Sequence, residues 1–214
     1  MNPSTYREYP YESGKANASR EYLCPALKLG LSALPEGARV LDVGCGNGSL
    51  TAAWAKRKWD VTGVDLSESG IAQARAAHPN ITFYRTPVGP ELVEQFGESC
   101  FDAIVSAEVV EHLYAPRELA RNAFRLAKDG GMLILTTPYH GYLKNLVMAA
   151  TGKMDKHWTA LWDGGHIKFW SRKTIGILLG EAGFTRFEFG GAGRLPFLWK
   201  SMVVRAWKPG KPGL

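Results

Sequence analysis

The sequence contains little cysteine and no long apolar run. Its three cysteines, Cys24, Cys45 and Cys100, have neither the spacing of a metal site nor that of a disulfide framework. No stretch reaches the roughly 18 uninterrupted apolar residues that a membrane-spanning helix needs. The polar, tyrosine-rich residues 1–15 also lack the pattern of a secretory signal. These absences argue against a disulfide-stabilised secreted domain and an integral membrane protein, and we expect a cytoplasmic protein.

The basic residues are also not clustered. The formal net charge is +6 and the sequence pI about 9.2, but the lysines and arginines are scattered along the chain. A basic surface of this kind is compatible with anionic partners of many classes. Because no appended RNA-binding module and no clustered basic and aromatic face can be recognised, we rank RNA below a small molecule as the partner.

Apolar segments of strand and helix character alternate along the chain, which predicts one α/β domain over residues 1–214. We expect a doubly wound, mostly parallel sheet with helices on both faces and a terminal hairpin whose last strand is antiparallel. The predicted strands are 39–43, 60–65, 81–85, 101–106, 132–137, 184–190 and 197–207. The predicted helices are 16–34, 49–58, 68–78, 90–96, 116–128 and, capped by Ser171, 172–182.

A glycine-rich turn follows the first predicted strand, in the run VLDVGCGNGSL over residues 40–50. Glycines at such a turn let backbone N–H groups approach a ligand closely, and the acid Asp65 at the end of the next strand suits ribose hydroxyls. A dinucleotide fingerprint needs its third glycine three residues after the second. Here Gly48 follows Gly46 by two, and Asp42 would repel a pyrophosphate. The spacing therefore disfavours a dinucleotide.

The segment Asp42 to Gly48 resembles the first motif of the class I S-adenosylmethionine-dependent methyltransferases, an acid, any residue and then G-x-G-x-G. The resemblance implies a Rossmann-like seven-stranded sheet of order 3-2-1-4-5-7-6. It also implies that Asp42 binds the cofactor's amino group, that the turn at Gly44 lies under its methionine half, and that Asp65 binds the ribose. Further cofactor contacts are expected from Cys45, Gly46, Asn47, Leu66 (against the adenine) and Ala107.

The first 35 residues are expected to form an N-terminal helical cap. In relatives from ubiquinone synthesis an N-terminal helix folds over the cofactor's carboxylate. By that resemblance we expect Arg20, with Tyr6, Tyr9 and Tyr11, to lie there.

Two carboxylates and an imidazole follow the fourth predicted strand in the run SAEVVEHL. Glu108, Glu111 and His112 have the i, i+3, i+4 spacing that places side chains on one side of a helical turn. Converging acids in a cleft have raised pKa values unless a cation lies between them. A divalent metal held by these three residues and by His166 in GGHIKFW would supply that cation.

This ExxEH element with a later histidine resembles the metal-dependent small-RNA 2′-O-methyltransferases and, over a longer part of the chain, the O-methyltransferases of ubiquinone synthesis. The mixed ligand set leaves magnesium, manganese and zinc open. A metal-free site also remains open, in which the glutamates orient the cofactor or a helix and His166 or His112 acts as the base.

Residues 138–170 form a connection longer than is usual between a strand and the next helix. Leu143, Leu146, Val147 and Ala150 give one short helix an apolar face. We interpret the segment as a lid over the substrate, the alternative being that these side chains pack on the domain. His140 and His157 in this segment are interpreted as isolated surface histidines.

Together these features predict S-adenosylmethionine-dependent methylation of an oxygen on a small, partly apolar acceptor, lipid-like or phenolic. Contact with a membrane is expected to be peripheral at most. Two alternatives stay open: a nicotinamide-dependent oxidoreductase, and a non-catalytic cofactor-binding or interaction protein.

Overall fold

The computed structural model describes residues 19–55, 59–158, 160–162 and 164–210, which contain one seven-stranded sheet. The predicted positions Tyr6, Tyr9 and Tyr11 lie outside the described residues. The strands are β1 (Arg39–Val43), β2 (Asp60–Asp65), β3 (Thr82–Arg85), β4 (Phe101–Ala107), β5 (Ala127–Pro138), β6 (Arg186–Ala192) and β7 (Ser201–Trp207).

Eight α-helices are described around this sheet. They are α1 (Arg20–Gly30), α2 (Ser49–Ala55), α3 (Glu68–Ala77), α4 (Glu91–Phe96), α5 (Pro116–Leu126), α6 (Tyr142–Ala150), α7 (Met154–Trp158) and α8 (Arg172–Ala182). Two of them begin at serine caps, and the one at Ser171 was predicted. Ser67 accepts a hydrogen bond from the Gly70 N–H, and Ser171 forms a reciprocal capping box with Thr174.

The strand order is β3-β2-β1-β4-β5-β7-β6, with β7 antiparallel to both of its neighbours and the other paired strands parallel. This confirms the predicted fold class. The chain leaves β1 toward β2 on one side and returns to pair β4 on the other, so the switch point lies beyond the carboxyl ends of β1 and β4. Open α/β sheets bind ligands in the crevice at such a point.

The core has two layers because side chains alternate along each central strand. Leu133 and Leu135 of β5 lie in the cluster that includes side chains of α5 and α8. Met132 and Ile134 lie in the opposite cluster, with Leu27 of α1. Both faces of the sheet are therefore covered, as the near-continuous apolar strands predict.

The predicted boundary between α5 and β5 is wrong by several residues. The helix was expected over 116–128, but it ends at Leu126, and β5 begins at Ala127 rather than 132. The Ser99 and Cys100 N–H groups donate to the carbonyls of Arg125 and Leu126, and Ala127 pairs with Phe101. Tertiary pairing therefore takes the chain into the sheet before Gly130.

The first helix is also shorter than the predicted 16–34, because it ends at Gly30 and not at Pro35. Turns closed by the Ser32 and Leu34 N–H groups replace its last part. Both terminal strands begin later than predicted, β6 at Arg186 instead of 184 and β7 at Ser201 instead of 197. Residues 193–200 form the connection between them.

The 138–170 segment contains α6 and α7, with much of its apolar surface outward. Leu143, Leu146 and Val147 are 48%, 50% and 45% exposed, and Leu161 is 99% exposed. These three side chains on α6 are therefore about half buried, and the interpretation of the segment as a lid stays a prediction. Within the described ranges, no helix is long and apolar enough to cross a membrane.

Candidate active site

The glycine-rich turn connects β1 to α2 in a conformation that favours glycine. Gly44, Gly46 and Gly48 all have positive φ angles, at 84°, 54° and 74°. The Gly44 N–H donates to the carbonyl of Val64 at 2.8 Å, which fixes the turn beside the end of β2. A Cβ on Gly44 would lie 2.3 Å from Cγ2 of Val109, so the backbone passes too close to the segment after β4 for any side chain.

Asp65 joins the end of β2 to the turn. Its Oδ2 accepts a hydrogen bond from the Gly46 N–H and its Oδ1 from the Ser67 N–H, each at 2.8 Å. Leu66 is 36% exposed beside it, and its carbonyl accepts from the Arg85 guanidinium. The acid predicted to bind ribose and the apolar residue predicted to pack on adenine therefore lie together at the rim of the crevice.

Asp42 is buried at the end of β1, with 1% of its surface exposed. The Thr51 hydroxyl donates to Oδ2 at 2.7 Å, while Oδ1 has no hydrogen-bond partner among the described residues. Burial, and to a smaller extent Asp65, raise the pKa of this carboxyl to about 7. A donor such as an ammonium group would satisfy the unpaired oxygen, so this position fits the amino group of the expected cofactor.

The other residues predicted to contact the cofactor are Cys45, Asn47, Ala107 and Arg20, and each lies in a different environment. Cys45 is buried against Ile71, Ala74 and Phe83, and burial raises the pKa of its thiol, which suits packing rather than nucleophilic chemistry. Asn47 accepts from the Ser49 N–H within the turn, and Ala107 ends β4. Arg20 lines a cavity with α2 and residues around the starts of β2 and β3.

Glu108 does not share a helical turn with Glu111 and His112. Only Val110–His112 form a short 3-10 turn, whereas Glu108 has a φ of 57°. Its carboxylate accepts a hydrogen bond from the Thr136 hydroxyl at 2.8 Å. Burial raises the pKa of Glu108. The strained backbone at Glu108 directs its carboxylate toward β5. The predicted metal site of Glu108, Glu111, His112 and His166 therefore lacks its first member.

Glu111, His112 and His166 come together as predicted. One ligand atom from each lies within 4.8 Å of those of the other two. Both carboxylate oxygens of Glu111 are buried without a hydrogen-bond partner in the described part of the chain, and the nearby Thr137 hydroxyl does not reach hydrogen-bond geometry. Burial and the neighbouring Glu108 raise the pKa of Glu111 well above its usual range.

The two imidazoles lie beside this acid, with ring centroids 4.9 Å apart. His112 Nδ1 lies 2.9 Å from the carbonyl oxygen of Gly164, and since a carbonyl only accepts, Nδ1 carries a proton and donates it to this bond. His166 Nε2 lies 4.0 Å from Glu111 Oε1. Burial and then His112 lower the pKa of His166 to about 4, so it is neutral at pH 7.

Backbone bonds hold the 138–170 segment against this cluster. The N–H groups of Ile167 and Lys168 both donate to the carbonyl of Glu111, at 3.0 and 3.1 Å. Trp162 packs edge-on against both His112 and His166. His166 is therefore positioned by backbone hydrogen bonds of the residues that follow it. The sequence spacing alone does not reveal this contact.

Several polar residues near the site were missed or misread. His140 and His157, interpreted as isolated surface histidines, are partly buried with ring centroids 5.2 Å apart. Burial and then His157 lower the pKa of His140 to about 4. Lys144 is buried on α6, and its Nζ donates to the Tyr139 carbonyl. No sequence signal separates this lysine from the exposed ones, because its burial depends on how α6 packs.

A family model described as "Methyltransferase domain" matches residues 16–187. Ubiquinone biosynthesis O-methyltransferase of Caulobacter sp. (strain K31) is 37% identical over 119 residues, which cover 55% of this chain and 47% of that protein. The same-named protein of Pseudomonas fluorescens (strain Pf0-1) is 36% identical over 104 residues, covering 47% and 44%. The matched region thus spans about half the length of these relatives.

Solved structures share the fold at low identity. A SAM-dependent methyltransferase from Archaeoglobus fulgidus has a TM-score of 0.68 at 17% identity, covering 89% of this chain and 95% of that one. Phosphoethanolamine N-methyltransferase 2 of Haemonchus contortus, in complex with S-adenosyl-L-methionine, has a TM-score of 0.65 at 17% identity, covering 87% and 52%. At this identity the solved structures show only that the fold is shared. The site is inferred from the side chains of this chain.

Proposed function

Because this chain belongs to the methyltransferase domain family, which it matches over residues 16–187, we propose that it transfers a methyl group from S-adenosylmethionine to an oxygen atom of a small, partly apolar acceptor. The observation that carries the cofactor assignment is the buried Asp42 oxygen without a partner among the described residues, beside a turn that only glycine can form at Gly44. The names of the curated relatives support oxygen as the methylated atom.

The cofactor supplies an already activated methyl group, so the protein's main task is to position the acceptor and exclude water. In this proposal Asp42 binds the amino group, the backbone from Gly44 to Gly48 lies along the methionine half, and Asp65 binds the ribose. Leu66 covers the adenine. All four positions surround the crevice beyond β1 and β2.

In a site without a metal, His166 is the group we assign to accept the acceptor's hydroxyl proton. It is neutral at pH 7, since burial and His112 lower its pKa to about 4, and Glu111 lies 4.0 Å from its Nε2. The acid would stabilise the imidazolium formed when the proton arrives. General-base assistance of this kind contributes roughly 10²- to 10⁴-fold.

We further propose that Glu111, His112 and His166 bind a divalent metal, with magnesium, manganese and zinc as candidates. The unpaired Glu111 oxygens, with one ring nitrogen each of His112 and His166 within 4.8 Å, fit a cation. The Nδ1–H of His112 donates to the carbonyl of Gly164, and metal-binding histidines commonly make such a bond with the nitrogen that does not bind the metal. A metal there would lower the pKa of the acceptor's hydroxyl.

Calorimetry with S-adenosylhomocysteine tests the cofactor assignment, and a methylation assay with hydroxylated phenols tests the reaction. We expect binding in the micromolar range and its loss in Asp65→Ala. Folded protein that binds no S-adenosylhomocysteine at millimolar concentration would refute the proposal. Protein that binds it yet methylates no phenol, sugar or RNA would favour the non-catalytic alternative.

Elemental analysis tests the metal assignment separately. Protein purified without chelator is expected to contain about one divalent ion per chain, and Glu111→Gln is expected to lose it while still binding S-adenosylhomocysteine. Arg121→Gln, a change on the exposed face of α5, serves as the control. A metal-free enzyme that stays active in chelator would leave His166 as the base and remove the ion from the proposal.

A further inference from the structure

A second cavity lies between α6 and the connection from β6 to β7, with a volume of about 590 Å³. This volume falls within the range of small-molecule sites. Val147, Met148 and Leu198 contribute apolar surface to it, and Lys144, Lys153 and Arg194 contribute three positive charges. Among the described residues that line it, none is acidic. The cavity therefore combines an apolar wall with an excess of cationic groups.

Lys144 is the most informative of these cations because it is only 6% exposed. Its ammonium group has three N–H donors, and the Tyr139 carbonyl accepts from it at 2.8 Å. Burial, and then the charge of Arg194, lower its pKa to about 8, and Glu108, which acts in the opposite direction, offsets them only in part. A buried cation beside a second cation is unfavourable unless an anion offsets them.

The cavity also adjoins the proposed reaction site. Glu108 interacts electrostatically with Lys144, and so do His140 and His157. Tyr139, which binds Lys144, directly follows β5, whose carboxyl end forms part of the crevice. A ligand held by Lys144 can therefore extend toward the residues after β4.

We propose that this cavity binds an oxyanion, a carboxylate or a phosphate, carried on an apolar body, and that this anion is part of the methyl acceptor. Lys144 contacts the anion at the inner end of the cavity, while Arg194 and Lys153 contact it from the exposed side. Val147, Met148 and Leu198 pack on the apolar body. The assignment to the acceptor rests on the proposed function, whereas the binding of the anion does not.

Direct binding of decanoate tests the site. Measured by calorimetry below its micelle concentration, decanoate is expected to bind at least tenfold more tightly than decanol. Lys144→Gln and Arg194→Gln should each weaken decanoate binding by about tenfold. Lys173→Gln and Arg121→Gln, which remove exposed charges outside the cavity, should leave it unchanged. Because Arg194 is exposed, its variant keeps the test valid if Lys144→Gln fails to fold.

Equal affinities for decanoate and decanol would overturn the proposed anion site. So would equal losses of decanoate affinity in the cavity variants and the control variants. Decyl phosphate, measured in the same way, decides between phosphate and carboxylate as the better-bound anion. S-adenosylhomocysteine binding is measured in parallel. If it is absent while decanoate selectivity is present, the proposed function fails and the anion site stands.

Kinetics test whether the anion belongs to the acceptor. Two catechols are compared, with alkyl chains that end in a carboxylate or in a hydroxymethyl group. Arg194→Gln is expected to raise KM about tenfold for the carboxylate compound only, with kcat unchanged. Equal KM changes for both compounds, or decanoate that binds without competing with the carboxylate compound, would overturn the assignment to the acceptor.

Discussion

Asp42 shows how burial of one carboxyl without a full set of hydrogen-bond partners lowers stability at neutral pH. Burial raises its pKa to about 7, so the folded protein binds a proton there more tightly than the unfolded chain does. Stability is therefore lost as pH rises from about 4 through 7. An unpaired buried oxygen of this kind is expected where a ligand, rather than the protein, supplies the partner.

We predict that Asp42→Asn raises the free energy of unfolding at pH 8 by about 1–3 kcal/mol, since a neutral amide removes the charge whose burial is unfavourable. The gain should disappear near pH 4. S-adenosylhomocysteine binding should weaken at least tenfold. Urea unfolding across pH and calorimetry measure the two effects, and a variant whose stability falls with pH as steeply as that of the parent would contradict the first.

At Gly44 a side chain would introduce both backbone strain and a steric clash. We predict that Gly44→Ala costs about 2–4 kcal/mol, combining the positive φ with the 2.3 Å approach to Val109. Gly37 is a matched control because it has a φ of 75° but no heavy atom within 4 Å of the position that a Cβ would occupy. Gly37→Ala should cost only about 1–2 kcal/mol.

The clash at Gly44 can be relieved independently of the strain. Adding Val109→Ala to Gly44→Ala removes the methyl groups at 2.3 and 3.3 Å, and the Cβ at 3.4 Å remains at ordinary contact distance. The double variant should therefore lose less stability than the two single changes added together. Strict additivity, measured by urea unfolding, would show that Val109 does not restrict the turn.

Residues of the turn were predictable because their chemistry is local in sequence. The glycine spacing from Asp42 to Gly48 indicates a tight turn by itself, and Asp65 lies at the end of the next strand. The partner of Glu108 was not predictable, since Thr136 approaches it only after β4 and β5 have paired. The i, i+3, i+4 spacing also misplaced Glu108, because a positive φ ends the regularity on which the pattern depends.

Among the elements, α6 is the clearest case in which amphipathic pattern and burial disagree. The spacing of Leu143, Leu146 and Val147 predicts a helix, which is present, but does not state which face is buried. The structure buries Lys144 and leaves these three apolar side chains about half exposed. A helix packed in this way contributes little to the core and is available to contact an acceptor.

We predict that Leu146→Ser on α6 changes the free energy of unfolding by less than about 0.5 kcal/mol, because the side chain is 50% exposed. Leu178→Ala on α8 is the comparison, since Leu178 is 5% exposed and its truncation should cost about 2–5 kcal/mol. Urea unfolding measures both. A loss above about 1 kcal/mol in Leu146→Ser would mean that the Leu146 side chain packs against the domain in solution.

For the whole molecule, alternation of strands and helices was sufficient to predict the sheet, and the resemblance supplied its order. The confirmed strand order brings three features together at the carboxyl edge of the sheet: the turn after β1, Asp65 at the end of β2, and Glu108 and Glu111 after β4. Family membership confirms the resemblance, and the nicotinamide alternative has no support from the family that the chain matches. The lid, the metal and the acceptor remain predictions, because each depends on side chains from segments far apart in sequence.

Cofactor binding at this edge should stabilise the entire fold, because the ligand contacts loops from several strands and does not bind the unfolded chain. S-adenosylhomocysteine at 100 times its Kd adds about 2.7 kcal/mol. For a chain of this size that corresponds to a rise in Tm of about 5–10 °C. NADH at the same concentration should leave Tm unchanged, and Asp65→Ala should abolish the shift whatever its own Tm. Thermal unfolding followed by circular dichroism measures these shifts, and a larger shift with NADH than with S-adenosylhomocysteine would reverse the assignment of the turn.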